Sequence, residues 1–205
     1  MELRSTFQSI IALHQEELPL MLNERETKLP VDGGHIVTVT GIRRCGKSSL
    51  LGLVMNRLIE NGVSRQQILC IGFDDERFLS ISVENLDEIL QAYREMFPNQ
   101  PLKDVYIFFD EIQLVEGWEL FVLRVYKTYC KNIYITGSTA KMLSEEMASA
   151  LRGWPDEYRE YPLSFNEYLS FRGINANRFT EEGRAILADN FRSYCKEGGT
   201  SDANI

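Results

Sequence analysis

Apolar residues along the chain fall into short blocks with two kinds of spacing. Continuous apolar or β-branched runs predict strands at Ile36–Thr40, Ile68–Phe73, Val105–Phe109 and Ile133–Thr136. The uninterrupted run at Val105–Phe109 is typical of a parallel strand that is covered on both faces. Because helical segments separate these runs, the order predicts an α/β fold with a parallel sheet and right-handed crossovers.

Apolar residues three or four positions apart fill the segments between the strands. They predict helices at Ser48–Glu60, around Leu86–Phe97 and at Trp118–Tyr129. From Met142 onward the chain is predicted to be mostly helical, apart from a short extended piece around Tyr158–Pro162. We divide the chain into an N-terminal helical extension (1–31), a core domain (32–163) and a C-terminal helical segment (164–205).

A glycine-rich loop joins the first predicted strand to the helix after it. The segment from Gly41 to Ser48 fits G-x-x-x-x-G-K-[ST], and a strand before it and a helix after it are the context of a phosphate-binding loop. Backbone N–H groups of such a loop and the positive end of the helix bind phosphates. Lys47 is predicted to reach the β- and γ-phosphates, and the Ser48 hydroxyl to ligate Mg²⁺. The predicted nucleotide-binding residues are Gly41, Ile42, Arg43, Arg44, Cys45, Gly46, Lys47, Ser48 and Ser49.

Two carboxylates follow the third predicted strand. Asp110 and Glu111 come directly after its apolar run, at the strand end where ligands of open α/β sheets bind. Asp110 is predicted to hold Mg²⁺ together with Ser48, usually through water. Glu111 is predicted to activate the attacking water as a general base, a role worth about 10² to 10⁴ in rate.

The fourth predicted strand leads into Gly137-Ser138-Thr139. Ser138 is the predicted contact to the γ-phosphate or the attacking water, and Thr136 is the alternative. Serine and threonine also favour turns and helix N-caps, so a capping role for this segment stays open.

Phosphoryl transfer is also served by an arginine that stabilises charge on the γ-phosphate, supplied by the same chain or by a neighbour. An arginine from a neighbour would require contact between subunits, so a homo-oligomer stays open. The candidate arginines are Arg43, Arg44, Arg124, Arg152 and Arg159. An N-K-x-D-like guanine motif does not follow the loop, which favours ATP over GTP. The Asp-Glu pair favours water as the acceptor.

The composition of the chain limits the kinds of partner and the cellular compartment that we expect. The 205 residues carry a net charge of -8, which argues against a general nucleic-acid-binding surface on this segment. We find neither a run of about 20 apolar residues that could span a bilayer nor a signal-peptide core. The four cysteines form no C-x-x-C pair, which favours the reducing cytoplasm over a disulfide framework or a zinc site.

Taken in order, four segments of the chain resemble one known family. They are Gly41–Leu51, Phe108–Gln113 with Gly117–Glu119, Ile135–Ser138, and Tyr161–Leu169. Together they are similar to bacterial and archaeal AAA-type ATPases, largely uncharacterised, in which a domain of unknown function follows the ATPase domain. The resemblance runs from about Asp32 to Gly199. It implies a three-layer P-loop NTPase core of RecA/AAA type, strand order 5-1-4-3-2 and ATP as the ligand.

Two departures from that family bear on activity. In relatives a Gly-Arg pair commonly precedes the Pro-Leu-Ser-Phe segment, and its arginine is a candidate for the catalytic arginine. In this chain the corresponding residues are Gly153 and Trp154. Arg152 is therefore the substitute candidate. The chain also ends soon after Gly199, where relatives continue, which implies that their C-terminal domain is missing from it. The leading hypothesis is an ATPase that hydrolyses Mg²⁺-ATP to drive a protein partner. The alternative is a weakly hydrolysing module in which bound nucleotide switches a partner surface.

Overall fold

The computed structural model describes residues 2–32, 34–78, 80–138 and 155–197. Its centre is a five-stranded sheet in which every pair of neighbouring strands is parallel. The order β2-β3-β4-β1-β5 is the predicted 5-1-4-3-2 counted from the opposite edge, so the predicted α/β P-loop NTPase topology is confirmed. The strands are β1 (Ile36–Gly41), β2 (Ile68–Gly72), β3 (Tyr106–Asp110), β4 (Asn132–Ser138) and β5 (Pro155–Glu160).

Helices connect and cover these strands, close to where the apolar spacing predicts them. They are α1 (Glu2–Glu17), α2 (Lys47–Glu60), α3 (Asp87–Met96), α4 (Trp118–Thr128), α5 (Phe165–Phe171) and α6 (Glu181–Glu197). Within the described ranges, no helix combines the length and apolar character needed to cross a membrane.

Alternate residues of the strands enter two separate apolar clusters, which makes the fold a three-layer sandwich. Ile107 and Phe109 of β3 pack with α1, α3 and α4 on one face of the sheet. Phe108, between them in sequence, packs with α2 on the other face, where its ring stacks on Tyr134 at 4.8 Å. Strands buried on both faces explain why their sequences are continuously apolar.

The N-terminal residues take part in this core. Phe7, Ile10 and Ile11 of α1 are buried with the residues of the sheet and of α3. The segment after α1, which we call the N-terminal strap (residues 18–30), then crosses α2. There the Asn56 side chain bonds both backbone groups of Leu20, at 2.8 and 2.7 Å. The division of the chain at residues 31 and 32 stays a prediction, but α1 shares its core with the domain that follows.

The fifth strand differs from the sequence prediction in its bounds. The sequence predicts an extended piece around Tyr158–Pro162, whereas β5 spans Pro155–Glu160 and pairs with β1 from Ile36 onward. Its sequence, Pro-Asp-Glu-Tyr-Arg-Glu, has no apolar run, because an edge strand with exposed side chains needs none. The predicted helical content of residues 142–154 lies outside the described residues.

Candidate nucleotide-binding site

The glycine-rich loop connects the end of β1 to the start of α2 through backbone conformations that favour glycine. Gly46 caps α2 with φ 100°, in the left-handed region. A Cβ on Gly41 would lie 2.5 Å from the Glu160 carbonyl oxygen, so a side chain there would collide with the end of β5. Arg44 also has a positive φ, 66°, which is uncommon for a residue with a side chain. The glycines of the motif are therefore required by the local backbone.

A cavity of about 490 Å³ opens over this loop at the carboxyl ends of the strands. It brings Lys47 and Ser48 from α2 together with Glu111 after β3 and Ser138 at the end of β4. Gly41 is the last residue of β1, Ile42, Cys45 and Gly46 belong to the loop, and Ser49 lies in the first turn of α2. The full lining is Arg43, Arg44, Lys47, Ser48, Asp74, Glu111, Gln113, Leu114 and Ser138.

Lys47 is buried between the loop and Glu111. Only 4% of its surface is exposed, and its Nζ lies 3.0 Å from Glu111 Oε1. The same ammonium donates a hydrogen bond to the Ile42 carbonyl oxygen at 3.2 Å. These contacts hold one positive charge at the floor of the cavity, beside the start of α2, where a helix also favours anions.

Asp110 is held by two hydroxyl groups. The Ser48 hydroxyl hydrogen-bonds to its carboxylate, and Thr136 Oγ1 donates a second hydrogen bond to Asp110 Oδ1. Thr136 Oγ1 in turn accepts a hydrogen bond from the Glu111 backbone N–H at 2.9 Å. Thr136 is therefore buried beneath the site and orients both acidic residues, whereas Ser138 reaches the cavity.

The environment of Asp110 suits a cation. Burial raises the pKa of this carboxyl, and the neighbouring charges of Glu111 and Asp74 raise it further, against the hydrogen bonds from Ser48 and Thr136. A divalent cation would offset that accumulation of negative charge. Serine hydroxyl and aspartate carboxylate are hard oxygen ligands, which are the donors that Mg²⁺ prefers. The residues present therefore fit a magnesium ion.

Glu111 is placed by its backbone and by Gln113. It has φ 52°, in the left-handed region, an unusual conformation for glutamate that residues at functional sites often adopt. Gln113 Nε2 donates a hydrogen bond to Glu111 Oε2. With Lys47 on its other oxygen, both oxygens of the Glu111 carboxylate have a partner.

Three residues that line the cavity were not predicted from the sequence, namely Leu114 and the polar residues Asp74 and Gln113. Asp74 follows β2, the neighbour of β3, so the acidic run after that strand was a usable signal once the strand order was known. Gln113 has no comparable signal, because it reaches Glu111 only through the short helical turn Ile112–Leu114.

The structure separates the candidate arginines. Arg43 and Arg44 line the cavity. Arg124 forms an exposed ion pair with Asp87 at 2.6 Å, and Arg159 lies over the Tyr161 ring. Arg152 and Trp154 lie outside the described residues, so the catalytic arginine stays a prediction.

The parallel sheet, the loop and the lysine beside the carboxylates define a P-loop nucleotide-binding protein. A family model described as an AAA domain matches residues 33–169 of the chain. The chain therefore belongs to the AAA domain family of P-loop ATPases, which confirms the family expected from the sequence.

Curated relatives extend beyond this chain. It is 32% identical over 182 residues to an uncharacterized protein of Methanocaldococcus jannaschii, covering 88% of this chain and 39% of that protein. It is 36% identical over 169 residues to an uncharacterized protein of Haemophilus influenzae, covering 82% of this chain and 40% of that one. The chain thus spans about two fifths of the length of these relatives.

Solved structures with a similar chain course include two proteins of low sequence identity. DnaA from Aquifex aeolicus bound to AMPPCP is 17% identical with a TM-score of 0.47, covering 92% of this chain and 59% of that one. Cdc6p from Pyrobaculum aerophilum is 13% identical with a TM-score of 0.46, covering 82% and 47%.

Proposed function

We propose that the chain binds ATP with Mg²⁺ in the cavity over the glycine-rich loop. We propose that it then hydrolyses ATP to ADP and phosphate. The observation that carries this proposal is the meeting of Lys47, Ser48 and Glu111 around one cavity, with Asp110 bonded to Ser48. The direct experiment is Mg²⁺-dependent release of phosphate from ATP by the chain. The work that hydrolysis drives, on an unidentified protein partner or within a homo-oligomer, belongs to the same proposal.

Each residue has a role that its position supports. The N–H groups of the loop and the Lys47 ammonium bind the phosphates, while Ser48 and Asp110 would hold the cation. Mg²⁺ bound there would supply positive charge that neutralises the phosphates. Glu111 takes a proton from the attacking water, and Ser138 donates a hydrogen bond at the γ-phosphate.

Because Lys47 forms an ion pair with Glu111, the binding of ATP changes the contacts of the proposed general base. A triphosphate that bonds to Lys47 competes with Glu111 for the ammonium, since the Nζ lies within 3.0 Å of that carboxylate. Glu111 then keeps its hydrogen bond from Gln113 and gains a free oxygen for water. Binding and activation of the base are thereby linked through one side chain.

The second candidate is a module that binds ATP, hydrolyses it poorly and uses the bound state to switch a partner surface. The substitution of Trp154 for the arginine of relatives favours it, because an indole group cannot supply positive charge to the γ-phosphate. ATP binding without turnover, both in this chain and in one that includes a C-terminal continuation, would support the switch over the ATPase.

Replacement of Asp110 by asparagine is expected to raise the melting temperature in metal-free buffer at neutral pH, because the neutral amide removes a buried negative charge. A carboxyl whose folded-state pKa is raised adds stability below its unfolded pKa and loses it as the pH rises through the folded pKa. Asparagine avoids that loss, so its advantage should shrink as the pH is lowered.

Scanning calorimetry gives the melting temperatures in EDTA and in Mg²⁺-ATP that test this prediction. The variant should also lose most of the stabilisation that Mg²⁺-ATP gives the native chain, because the cation has lost its carboxylate. Asp104→Asn is the matched control, because Asp104 is exposed before the amino end of β3, whereas Asp110 lies at the carboxyl end of that strand. This variant should leave the melting temperature unchanged, both in EDTA and with Mg²⁺-ATP. A lower melting temperature for Asp110→Asn in EDTA would mean that the hydroxyl groups already stabilise the carboxylate fully.

A further inference from the structure

A buried arginine lies directly behind the glycine-rich loop. Arg25, in the N-terminal strap, is 4% exposed, and its Nη1 donates a hydrogen bond to the Cys45 carbonyl oxygen at 2.9 Å. Its other donors point to the C-terminal part of the domain. Nε bonds Glu167 Oε1 of α5 at 2.8 Å, and Nη2 forms an ion pair with Glu160 at the end of β5. One guanidinium thus joins the loop to two acidic residues on separate elements.

The acidic side of this cluster is itself fixed. Glu167 Oε1 also accepts a hydrogen bond from the Glu26 backbone N–H, and Glu167 Oε2 accepts one from Ser164 N, both at 2.8 Å. Burial works to raise the pKa of Glu167, but the hydrogen bonds from Arg25, Glu26 and Ser164 outweigh it and leave that pKa below its usual value. Ionised Glu167 therefore holds the guanidinium in one orientation.

The contact at Cys45 determines which way the next amide points. In a trans peptide the carbonyl and the N–H lie on opposite sides, so a Cys45 carbonyl directed at Arg25 turns the Gly46 N–H away from Arg25. Gly46 also packs closely against the Arg25 side chain, because a Cβ at this position would lie 2.4 Å from Arg25 Nη1. The loop backbone is thus held from behind at the residue that precedes Lys47.

We propose that Arg25 is a positioning residue for the phosphate loop, which holds the Cys45–Gly46 peptide so that the Gly46 N–H faces the phosphates of ATP. This inference rests on the proposed function, because it assigns the support of the same site. Arg25 itself does not contact the nucleotide. A planar guanidinium can bond the loop carbonyl and both acidic residues together, whereas the single ammonium of lysine cannot span them in the same geometry.

Arg25→Lys tests the proposal because it keeps the buried positive charge and removes the fork. Affinities for Mg²⁺-ATP and for Mg²⁺-tripolyphosphate, which has no base or ribose, are measured by calorimetry together with the melting temperature. We expect both affinities to fall by about tenfold, the equivalent of about 1.4 kcal/mol, which is near the strength of a hydrogen bond to a charged group. The ¹H–¹⁵N resonance of the Gly46 amide should shift in the same variant.

Arg57→Lys is the matched control. Arg57 lies on α2 and also bonds the N-terminal strap, through Glu24 Oε2 at 3.0 Å, but it has no contact with the loop among those described. This variant should leave both affinities and the Gly46 resonance unchanged. If Arg25→Lys does not fold, Glu167→Ala frees the guanidinium from the side opposite the loop and should weaken both ligands about threefold.

The outcomes separate this proposal from the function on which it rests. Native affinity for both ligands in a folded Arg25→Lys or Glu167→Ala chain overturns the positioning role and leaves the ATP site intact. A loss confined to ATP, with tripolyphosphate unchanged, would place Arg25 at the base or ribose and also overturns it. If the native chain binds neither ligand, the proposed function fails, and the positioning role fails with it.

Discussion

Replacement of Glu111 by glutamine is expected to lower ATP turnover by about a hundredfold or more while ATP still binds. Glutamine keeps the size of the side chain but cannot accept the proton of the attacking water, and general-base catalysis contributes about 10² to 10⁴ in rate. Affinity should be retained or slightly increased, because the carboxylate that pairs with Lys47 at 3.0 Å has been removed. Steady-state phosphate release gives the turnover, and calorimetry gives the affinity.

Glu116→Gln is the control for that experiment. Glu116 is exposed in the turn before α4, so the same chemical change there should leave turnover as it is in the native chain. Native turnover in Glu111→Gln would assign the base to another residue, and Asp74 would be the first to examine because it lines the same cavity.

Replacement of Lys47 by alanine should remove most of the affinity for ATP, by about a hundredfold. Charge-assisted hydrogen bonds to a phosphate are each worth about 1.5–3 kcal/mol, and tenfold in affinity corresponds to about 1.4 kcal/mol. The loss should be larger for ATP than for AMP, because the ammonium is predicted to contact the β- and γ-phosphates.

Lys103→Ala is the matched control for Lys47→Ala. Lys103 is exposed in the turn before the amino end of β3, whereas the cavity lies at the carboxyl ends of the strands, so its charge is too distant to bind the phosphates. Equal ATP affinity in Lys47→Ala and in the native chain would remove the phosphate-site assignment from this loop.

The central part of the fold could be predicted because its signals are local. Continuous apolar runs mark β1 to β4, and the glycine-rich loop fits one short motif with a strand and a helix beside it. The strand order came from the family resemblance, since spacing alone gives only a parallel sheet. β5 was misplaced by a few residues because a polar edge strand leaves no apolar run to read.

The support of the site could not be predicted, because it depends on contacts between distant segments. Arg25 and Glu167 are 142 positions apart in sequence and meet only after the strap and α5 have packed around the loop. Arg25 lies in the charged stretch Asn23–Lys28, and such a stretch usually predicts a solvent-exposed segment. Thr136 and Ser138 show a related limit, since both lie near the end of β4 and only the fold decides that Thr136 bonds Asp110 while Ser138 lines the cavity.

The most direct measurement of the central claim is calorimetric titration of the native chain with ATP and with AMP, each with Mg²⁺ and with EDTA. We expect one ATP site per chain, Mg²⁺-dependent affinity, and binding of AMP weaker by about a hundredfold, because we propose that Lys47, Ser48 and Asp110 bind the β- and γ-phosphates and their cation. Equal affinity for ATP and AMP, or ATP binding that is indifferent to Mg²⁺, would contradict it.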